Sequence, residues 1–400
     1  MDIIVLGKNY LTTLGVIRSL GEAGFQVDIL FVDTNNQSEI VTSSKYVNHI
    51  ILVKTRDDTL IINKLIEEYS HRKTKTILIT TDDYTTKLID INRGKLSEIF
   101  LLPSVKEERQ TNISSLMNKL IQSEIAKKCE MNIAESQTIS LKSQIEIPEN
   151  ITYPCFCKPL DSVSGNKSEI GICHTKQELM NKLQKMKSRN SECVALVQEY
   201  LNITQEYSIG GVCLNETVIL PCVVKKEKIA KHSIGITLMG QMKSTEILQK
   251  TCEKIRKFIL TIGYQGMFDI EIMNCNGKMY FGELNFRNSS FVGAITKGGC
   301  NLPAIWVEYL KTGRIMNDYN FTYDTLFLND RVCWDDYIFT YINKRAMKKM
   351  YNQVNYTLIH SEQDPQPEKK FIQRISTDKK KRIKILIRKL IKKFPTKRKK

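Results

Sequence analysis

Apolar runs and helical spacings alternate through the first hundred residues. Residues 2–7, "DIIVLG", are an apolar run closed by glycine; "LTTLGVIRSLGEAGF" repeats apolar positions at helical spacing; "QVDILFVD" is apolar again. Strand, helix and strand in that order open a parallel βαβ unit. A further strand, "TILITTDD" (76–83), finishes with Asp82 and Asp83. Ligands of open parallel sheets sit beyond such carboxyl ends, although capping the next helix is the plainer role for both residues. The first turn has no GxGxxG, so a dinucleotide-binding unit of the NAD type is not supported.

Near 101–105 the pattern changes. From Leu116 to Cys129 apolar residues return at helical spacing, as for a helix entering a second domain. Strand patterns then dominate 151–290: "YPCFCKP", "EIGICH", "VALVQEYL", "YSIGGVCL", "TVILPCVVKK", "MFDIEIM" and "KMYFGELNF". Helical stretches interrupt them at about 176–188 and 244–262. "NLPAIWVEYLKTG" reads as a helix with a glycine stop, 319–356 is rich in aromatic residues, and "DPQPE" (364–368) breaks the chain.

Composition is that of a globular protein, 42% apolar and 26% charged over 400 residues, with room for two or three domains. The eleven cysteines are scattered without CxxC pairs, which argues against a structural zinc site. The chain enters a strand without a basic leader, so free thiols and a cytoplasmic location are the expectation. No apolar run approaches the ~20 residues of a membrane span. The net charge of +17 is local: residues 369–400 hold 16 Lys and Arg against one acid, Asp378, and the rest is nearly neutral.

The segment 267–287 contains a hairpin. Phe268, Ile270 and Ile272 alternate with Asp269 and Glu271, and Tyr280, Leu284 and Phe286 alternate with Glu283, Asn285 and Arg287. Partners that share a face must have an even sum of residue numbers if both apolar sets are to face one core. A two-residue Asn-Gly turn gives odd sums. A three-residue loop, Cys275-Asn276-Gly277, gives even ones and is the expected connection. Asp269, Glu271, Glu283, Asn285 and Arg287 then converge on one face. Carboxylates so gathered call for a cation or a proton, and two of them with an amide oxygen suit Mg²⁺. An ordinary solvated strand face with ion pairs fits this pattern too.

Upstream, Lys158 ends a strand at a Pro stop. "DSVSGNKSEIGI" follows, small and polar as in a flap over phosphates. An apolar strand then leads to Glu199-Tyr200-Leu201, with Glu206 seven residues after Glu199. A segment leaving a strand in this way can offer backbone groups to a purine, and the later carboxylate can hold ribose hydroxyls.

In order and spacing these residues resemble the ATP-grasp superfamily of ATP-dependent carboxylate–amine ligases, which includes D-alanine–D-alanine ligase, D-aspartate ligase and the carbamoyl-phosphate synthetase large subunit. The resemblance covers about 1–315 and implies a mixed α/β and α+β chain: an N-terminal Rossmann-like pre-ATP-grasp domain (1–105), then an ATP-grasp domain (106–315). The latter would comprise a small lid subdomain at about 120–200 and a larger one at about 201–315. An extension (316–368) and the basic tail (369–400) would follow. Lys119 and Lys158 match the two nucleotide-phosphate lysines, Glu199 to Leu201 the adenine hinge, and Glu206 the ribose carboxylate. The family's metal signature, Glu, twelve residues, then Glu-x-Asn-x-Arg, is met by Glu271, Glu283, Asn285 and Arg287. This prefers Glu271 over Asp269 as the ligand of Mg²⁺ or Mn²⁺. Asn118 stands where the family has Asp, Phe286 where Pro is frequent, and the flap is longer than usual. Ser164 and Gly165 are therefore assigned to its phosphate contacts by resemblance alone.

The activity so implied is attack of a substrate carboxylate on the γ-phosphate of ATP, followed by attack of an amine on the acyl phosphate. Lys119 and Lys158 would hold phosphates and Arg287 the developing oxyanion. For the acceptor, Lys225, Lys226 and His232, "NSSF" (288–291) and the residues 331–337 are candidates. In the tail, Ile383, Leu386, Ile387, Leu390, Ile391 and Phe394 form an apolar stripe within 379–394 among Lys and Arg. A stripe of this kind favours an anionic membrane over nucleic acid, and with it a peripheral location and a lipid- or polysaccharide-linked substrate of the cell envelope. A non-catalytic nucleotide-binding module and a polybasic adaptor are the alternative classes.

Overall fold

The computed structural model of the chain describes residues 1–160, 170–231, 235–315, 318–375, 380 and 383. Its first sheet is parallel, in the order β3-β2-β1-β4-β5, formed by β1 (Ile3–Gly7), β2 (Val27–Val32), β3 (Val47–Val53), β4 (Thr76–Thr80) and β5 (Phe100–Leu101). β1, β2 and β4 are buried throughout, which is why they read as unbroken apolar runs. Alternate residues enter different cores. Ile4 and Leu6 pack with Leu65 and Leu88 from helices on one face; Ile3 and Val5 pack with Leu14, Val292, Trp306 and Phe327 on the other. The second of these cores is shared with the rest of the chain.

A short strand, β6 (Ser104–Val105), joins the largest sheet. The second sheet is antiparallel, in the order β7-β10-β8-β9: β7 (Ser136–Ser140), β8 (Cys155–Pro159), β9 (Gly171–Cys173) and β10 (Val194–Glu199). Cys155, Cys157, Ala195 and Val197 face the helix Lys176–Arg189 through its Leu179 and Leu183. Lys158 and Leu196, being of opposite parity, face the other way.

The nine-stranded sheet runs β16-β15-β11-β13-β14-β17-β18, with β12 and β6 attached to β11 and β15. Its strands are β11 (Gln205–Leu214), β12 (Thr217–Ile219), β13 (Val223–Ile229), β14 (Thr237–Lys243), β15 (Tyr264–Cys275), β16 (Lys278–Asn285), β17 (Thr325–Leu328) and β18 (Tyr356–Thr357). Along β11, Ile209 and Cys213 face the helix Gln249–Ile262, while Val212 and Leu214 face the core shared with the first sheet. The expected strand "TVILPCVVKK" is two, because Pro221 has no N–H to give a ladder.

The helix expected over Leu116–Cys129 is interrupted. Ile113–Leu116 ends before Asn118, whose Oδ1 accepts from Leu120 N and Ile121 N and caps a new helix, Lys119–Lys128. Asn118, where the resemblance has Asp, thus acts as an N-cap. The new helix buries Ala126 against the core of the nine-stranded sheet, together with Cys129 and Met131 just beyond it. The expected lid boundary near 120 therefore moves later, since the lid's own core begins with Ile139.

At the other end, Asp364 is fully buried. Its carboxylate accepts from Arg18 Nε (2.9 Å), Ser44 Oγ (2.8 Å) and Lys45 N (3.0 Å), and Arg18 also donates to the carbonyls of Ile359 and Asp364. Residues 366–375 are helical and bury Phe371 and Ile375 in the shared core. The tail expected from 369 consequently begins within a docked helix. Apart from Lys380 and Ile383, the stripe at 379–394 lies outside the described residues.

Asp330 is buried against Ile359 N and Tyr351 Oη, and burial pushes its carboxyl up to about 6. A raised acid holds its proton in the folded state, so its cost appears as pH rises from the unfolded value near 4 through about 6. Asp330→Asn is expected to gain stability relative to wild type over that range, by about 2 kcal/mol. Paired denaturant titrations at pH 4.5 and 7 would read this; a constant difference would count against the shift. None of the eleven cysteines, all among the described residues, forms a disulfide. Among the described residues no helix is long and apolar enough to cross a membrane.

Candidate active site

The hairpin brings the expected carboxylates together by a different route. Asn276 and Gly277 both take positive φ (51° and 88°), the two-residue turn that favours Asn-Gly. Next to it the pairs are Cys275↔Lys278 through Ile272↔Phe281, all with odd sums. A bulge at Gly282 then shifts the register, so that Glu271 faces Glu283 and Asp269 faces Asn285. The three-residue loop is thus corrected: parity changes inside β16, not at the turn. Before the bulge Phe281 enters the core and stacks on Phe258 with ring centroids 5.5 Å apart; after it Leu284 and Phe286 do so.

Gly282 has no room for a side chain, because a Cβ there would lie 3.0 Å from Glu271 O. Gly282→Val is expected to cost about 1–3 kcal/mol and to part the two glutamates. Denaturation and Mg-ADP titration of the same variant would measure both effects; an unaltered nucleotide affinity would disconnect the bulge from the site.

Burial pushes the Glu271 carboxyl up to about 7; Lys226 works against this and Glu283 adds to it. Burial also acts on Glu283, but Lys119, Lys158 and Arg287 together outweigh it and hold that carboxylate ionised. Lys158 is driven down to about 8, chiefly by burial and in part by Lys119, with Glu283 opposing. Asp83, Lys119, Gln122, Glu283 and Asn285 line one crevice. Gln122 fixes its floor: Nε2 donates to Leu116 O and Leu284 O, and Oε1 accepts from Leu284 N, each at 2.9 Å. The helix carrying Lys119 is thereby fastened to the strand carrying Glu283.

Arg287 pairs with Asp83, Nε to Oδ1 at 2.9 Å, and donates to Asn285 Oδ1 at 3.2 Å. Burial opposes its charge, but Asp83, Asp269 and Glu283 outweigh burial and keep the guanidinium protonated. Asp82 caps the helix Asp83–Ile91 and also accepts from Lys8 N. Capping was the plainer reading of the acidic pair; it holds for Asp82, while Asp83 reaches the site.

Lys226, placed among acceptor candidates by sequence, lies elsewhere. Buried in the nine-stranded sheet, it pairs with Glu206 at 2.9 Å and with Glu271 at 3.4 Å, joining the expected ribose carboxylate to the expected metal ligand. Its alternation in a lysine-rich strand gave no sign of this. Lys225 pairs instead with Glu227. Glu199 N donates to Glu135 O at 2.8 Å and its Oε1 accepts from Glu135 N at 3.0 Å. Its side chain is therefore engaged at the start of the hinge, with Tyr200 exposed and Leu201 half-buried beyond it. Ser164, Gly165 and His232 lie outside the described residues. Asn288 and Ser289 are buried and Phe291 is in the core, so of "NSSF" Ser290 alone lines an open cavity.

The largest space near the hinge, about 770 Å³, includes Cys155, Val197, Glu199 and Tyr280 in its lining. Cys155 and Val197 belong to the face of the antiparallel sheet opposite Lys158, so this space is separate from the crevice of Lys119 and Glu283.

For a divalent cation the donor set fits: two paired carboxylates, one pushed toward protonation by burial with the other adding to it, beside an amide oxygen. Among the described residues no three His, Cys, Asp or Glu side chains form a closed metal cage, so further ligands would come from phosphates and water.

A parallel sheet, an antiparallel sheet and a large sheet with opposed lysines and carboxylates make the ATP-grasp fold that the sequence resemblance implied. The solved structures similar to it include an L-amino acid ligase from Bacillus licheniformis (TM-score 0.60, 12% identity, covering 77% of this chain and 74% of that one). N5-carboxyaminoimidazole synthetase from Staphylococcus aureus, solved with ADP, gives a TM-score of 0.62 at 16% identity and 82% of each chain. Biotin carboxylase from Campylobacter jejuni gives 0.62 at 12% identity, over 81% of this chain and 74% of that one. In sequence, 161 residues are 27% identical to the carbamoyl phosphate synthase large chain of Clostridium beijerinckii, covering 40% of this chain and 15% of that protein. The Methanosarcina barkeri large chain matches at 24% identity over 161 residues, 40% of each protein. The chain thus spans well under two thirds of either relative. No family model matches it.

Proposed function

We propose that the chain is an ATP-dependent carboxylate–amine ligase working through an acyl phosphate. The observation that carries this is the opposition of Lys119 and Lys158, from separate elements, to the Glu271–Glu283 pair. In this reading a substrate carboxylate oxygen forms a bond to the γ-phosphorus as the bond to the β–γ bridging oxygen breaks and ADP leaves. An amine nitrogen then attacks the acyl carbon and phosphate departs. Such chemistry needs positioning and charge stabilisation above all. Lys119 and Lys158 hold phosphate oxygens, Glu206 and Lys226 border the ribose, and the backbone at Tyr200–Leu201 meets the purine edge. Mg²⁺ or Mn²⁺ at Glu271, Glu283 and Asn285 would neutralise the transferring phosphoryl group. Arg287, aligned by Asp83, stabilises the tetrahedral oxyanion.

Adding Mg-ATP with pools of amino acids and carboxylic acids should release ADP in proportion to one acid–amine combination. Tight Mg-ADP binding with no ADP release from any pool would favour the second class, a nucleotide-binding module without catalysis.

The basic stripe at 379–394 would place the enzyme at an anionic membrane surface on the cytoplasmic side, where a lipid- or polysaccharide-linked acceptor would be met. Because Phe371 and Ile375 are core residues, the test compares full-length protein with a chain ending at 375. Full-length protein is expected to sediment with vesicles containing acidic phospholipid and the shortened chain to stay in solution; equal behaviour would end this part of the reading.

A further inference from the structure

A second cavity, about 560 Å³, opens at the carboxyl ends of β1, β2 and β4 and is roofed by the helix Asp330–Ile338. Lys8 and Arg56 stand on its wall, both over one aromatic ring. Lys8 Nζ is 5.8 Å and Arg56 Cζ 4.1 Å from the centroid of Tyr84. Among the described residues neither cation forms an ion pair with a carboxylate, whereas Arg331 on the roof is paired with Asp335 at 2.8 Å. Asp82 and Asp83 share this wall but are engaged by Lys8 N and by Arg287, which leaves the Lys8 ammonium and the Arg56 guanidinium to pair with an incoming anion.

Tyr10 also lines the cavity and carries a buried hydroxyl. Tyr10 is 4% exposed and its hydroxyl has no hydrogen-bond partner among the described residues. Burial pushes the phenol up, so the group stays protonated and able to donate. A buried hydroxyl without a partner costs about 1–3 kcal/mol, and a ligand oxygen would satisfy it. The cavity is not separate from the chemistry, because Asp83 lines it and is the residue that holds Arg287.

We propose that this cavity is the site of the carboxylate substrate, a small acid bearing a second anionic group, with the far carboxylate or phosphate held between Lys8 and Arg56, an oxygen on Tyr10, and the reacting carboxylate directed toward Arg287. The fate of the bound acid rests on the ligase reading; its binding does not. A molecule with one carboxylate would satisfy the Arg287 end and leave the Lys8–Arg56 pair unanswered, so selectivity for dianions follows from the wall and not from the nucleotide cleft.

The test is binding to the full chain without nucleotide. Calorimetric titration would use succinate, glutarate and 3-phosphoglycerate, with butyrate and inorganic phosphate as controls. At least one dianionic acid is expected to bind tenfold or more tighter than butyrate and phosphate. Lys8→Gln and Arg56→Gln should each weaken that binding at least tenfold, and Tyr10→Phe severalfold. Lys8 is half-buried and Arg56 exposed, so both variants should fold. Mg-ADP affinity measured on the same samples reports separately on the nucleotide cleft. No dianion preference, or a preference that survives both charge-removing variants, overturns the proposal. Loss of Mg-ADP binding with dianion binding intact would instead count against the ligase reading alone.

Discussion

Glu283→Gln is expected to lower Mg-ATP-dependent ADP release by about 10²–10³-fold in a protein that still folds. Glu283 is the carboxylate that Lys119, Lys158 and Arg287 together keep ionised despite its burial. The amide keeps the shape and removes the charge. A phosphoryl group passing through this crevice would lose a cation ligand, and Lys119, Lys158 and Arg287 would lose one of the carboxylates that balance them. Stopped-turnover ADP assays beside a circular dichroism melt would separate loss of chemistry from loss of fold. Ordinary turnover in a folded Glu283→Gln protein would remove the hairpin from the reaction.

The second large effect concerns stability. Asp364→Ala is expected to cost about 3–5 kcal/mol, the usual result of removing one partner from a buried ion pair. Arg18 Nε lies 2.9 Å from Asp364, the side chains are 6% and 1% exposed, and Ser44 and Lys45 N donate to the same carboxylate. Arg18→Ala should lose a similar amount, and the double variant much less than the sum, because the two losses are one broken network. Chemical denaturation of the three variants gives the cycle. Additive losses would mean that the pair contributes through packing and not through its charges.

These expectations show where the sequence was sufficient and where it was not. The strands of the first sheet were legible because burial on both faces makes them continuous apolar runs. The convergence of Glu271, Glu283 and Asn285 was legible from alternation. The bulge at Gly282 was not, since one extra residue leaves no mark in a two-residue repeat beyond the glycine. β14 was missed because its centre, "LMGQM", is built on methionine and glycine in place of β-branched residues. Lys226 was read as an acceptor residue because nothing local tells which face of a lysine-rich strand is buried. Its partners, Glu206 and Glu271, come from two other strands. Asp364 sat in a Pro-flanked stretch that reads as a linker, and only the tertiary contact with Arg18 shows otherwise.

The Gln122 clamp has a mechanical consequence. Lys119 moves with the floor of the cleft, because its helix is bolted to β16, whereas Lys158 is mounted on the separate antiparallel sheet above. Across the gap Lys119 Nζ donates to Leu160 O at 3.4 Å, just beyond the strand that carries Lys158. In the proposed ligase, a triphosphate would therefore meet one ammonium group carried by the floor and the other carried by the roof.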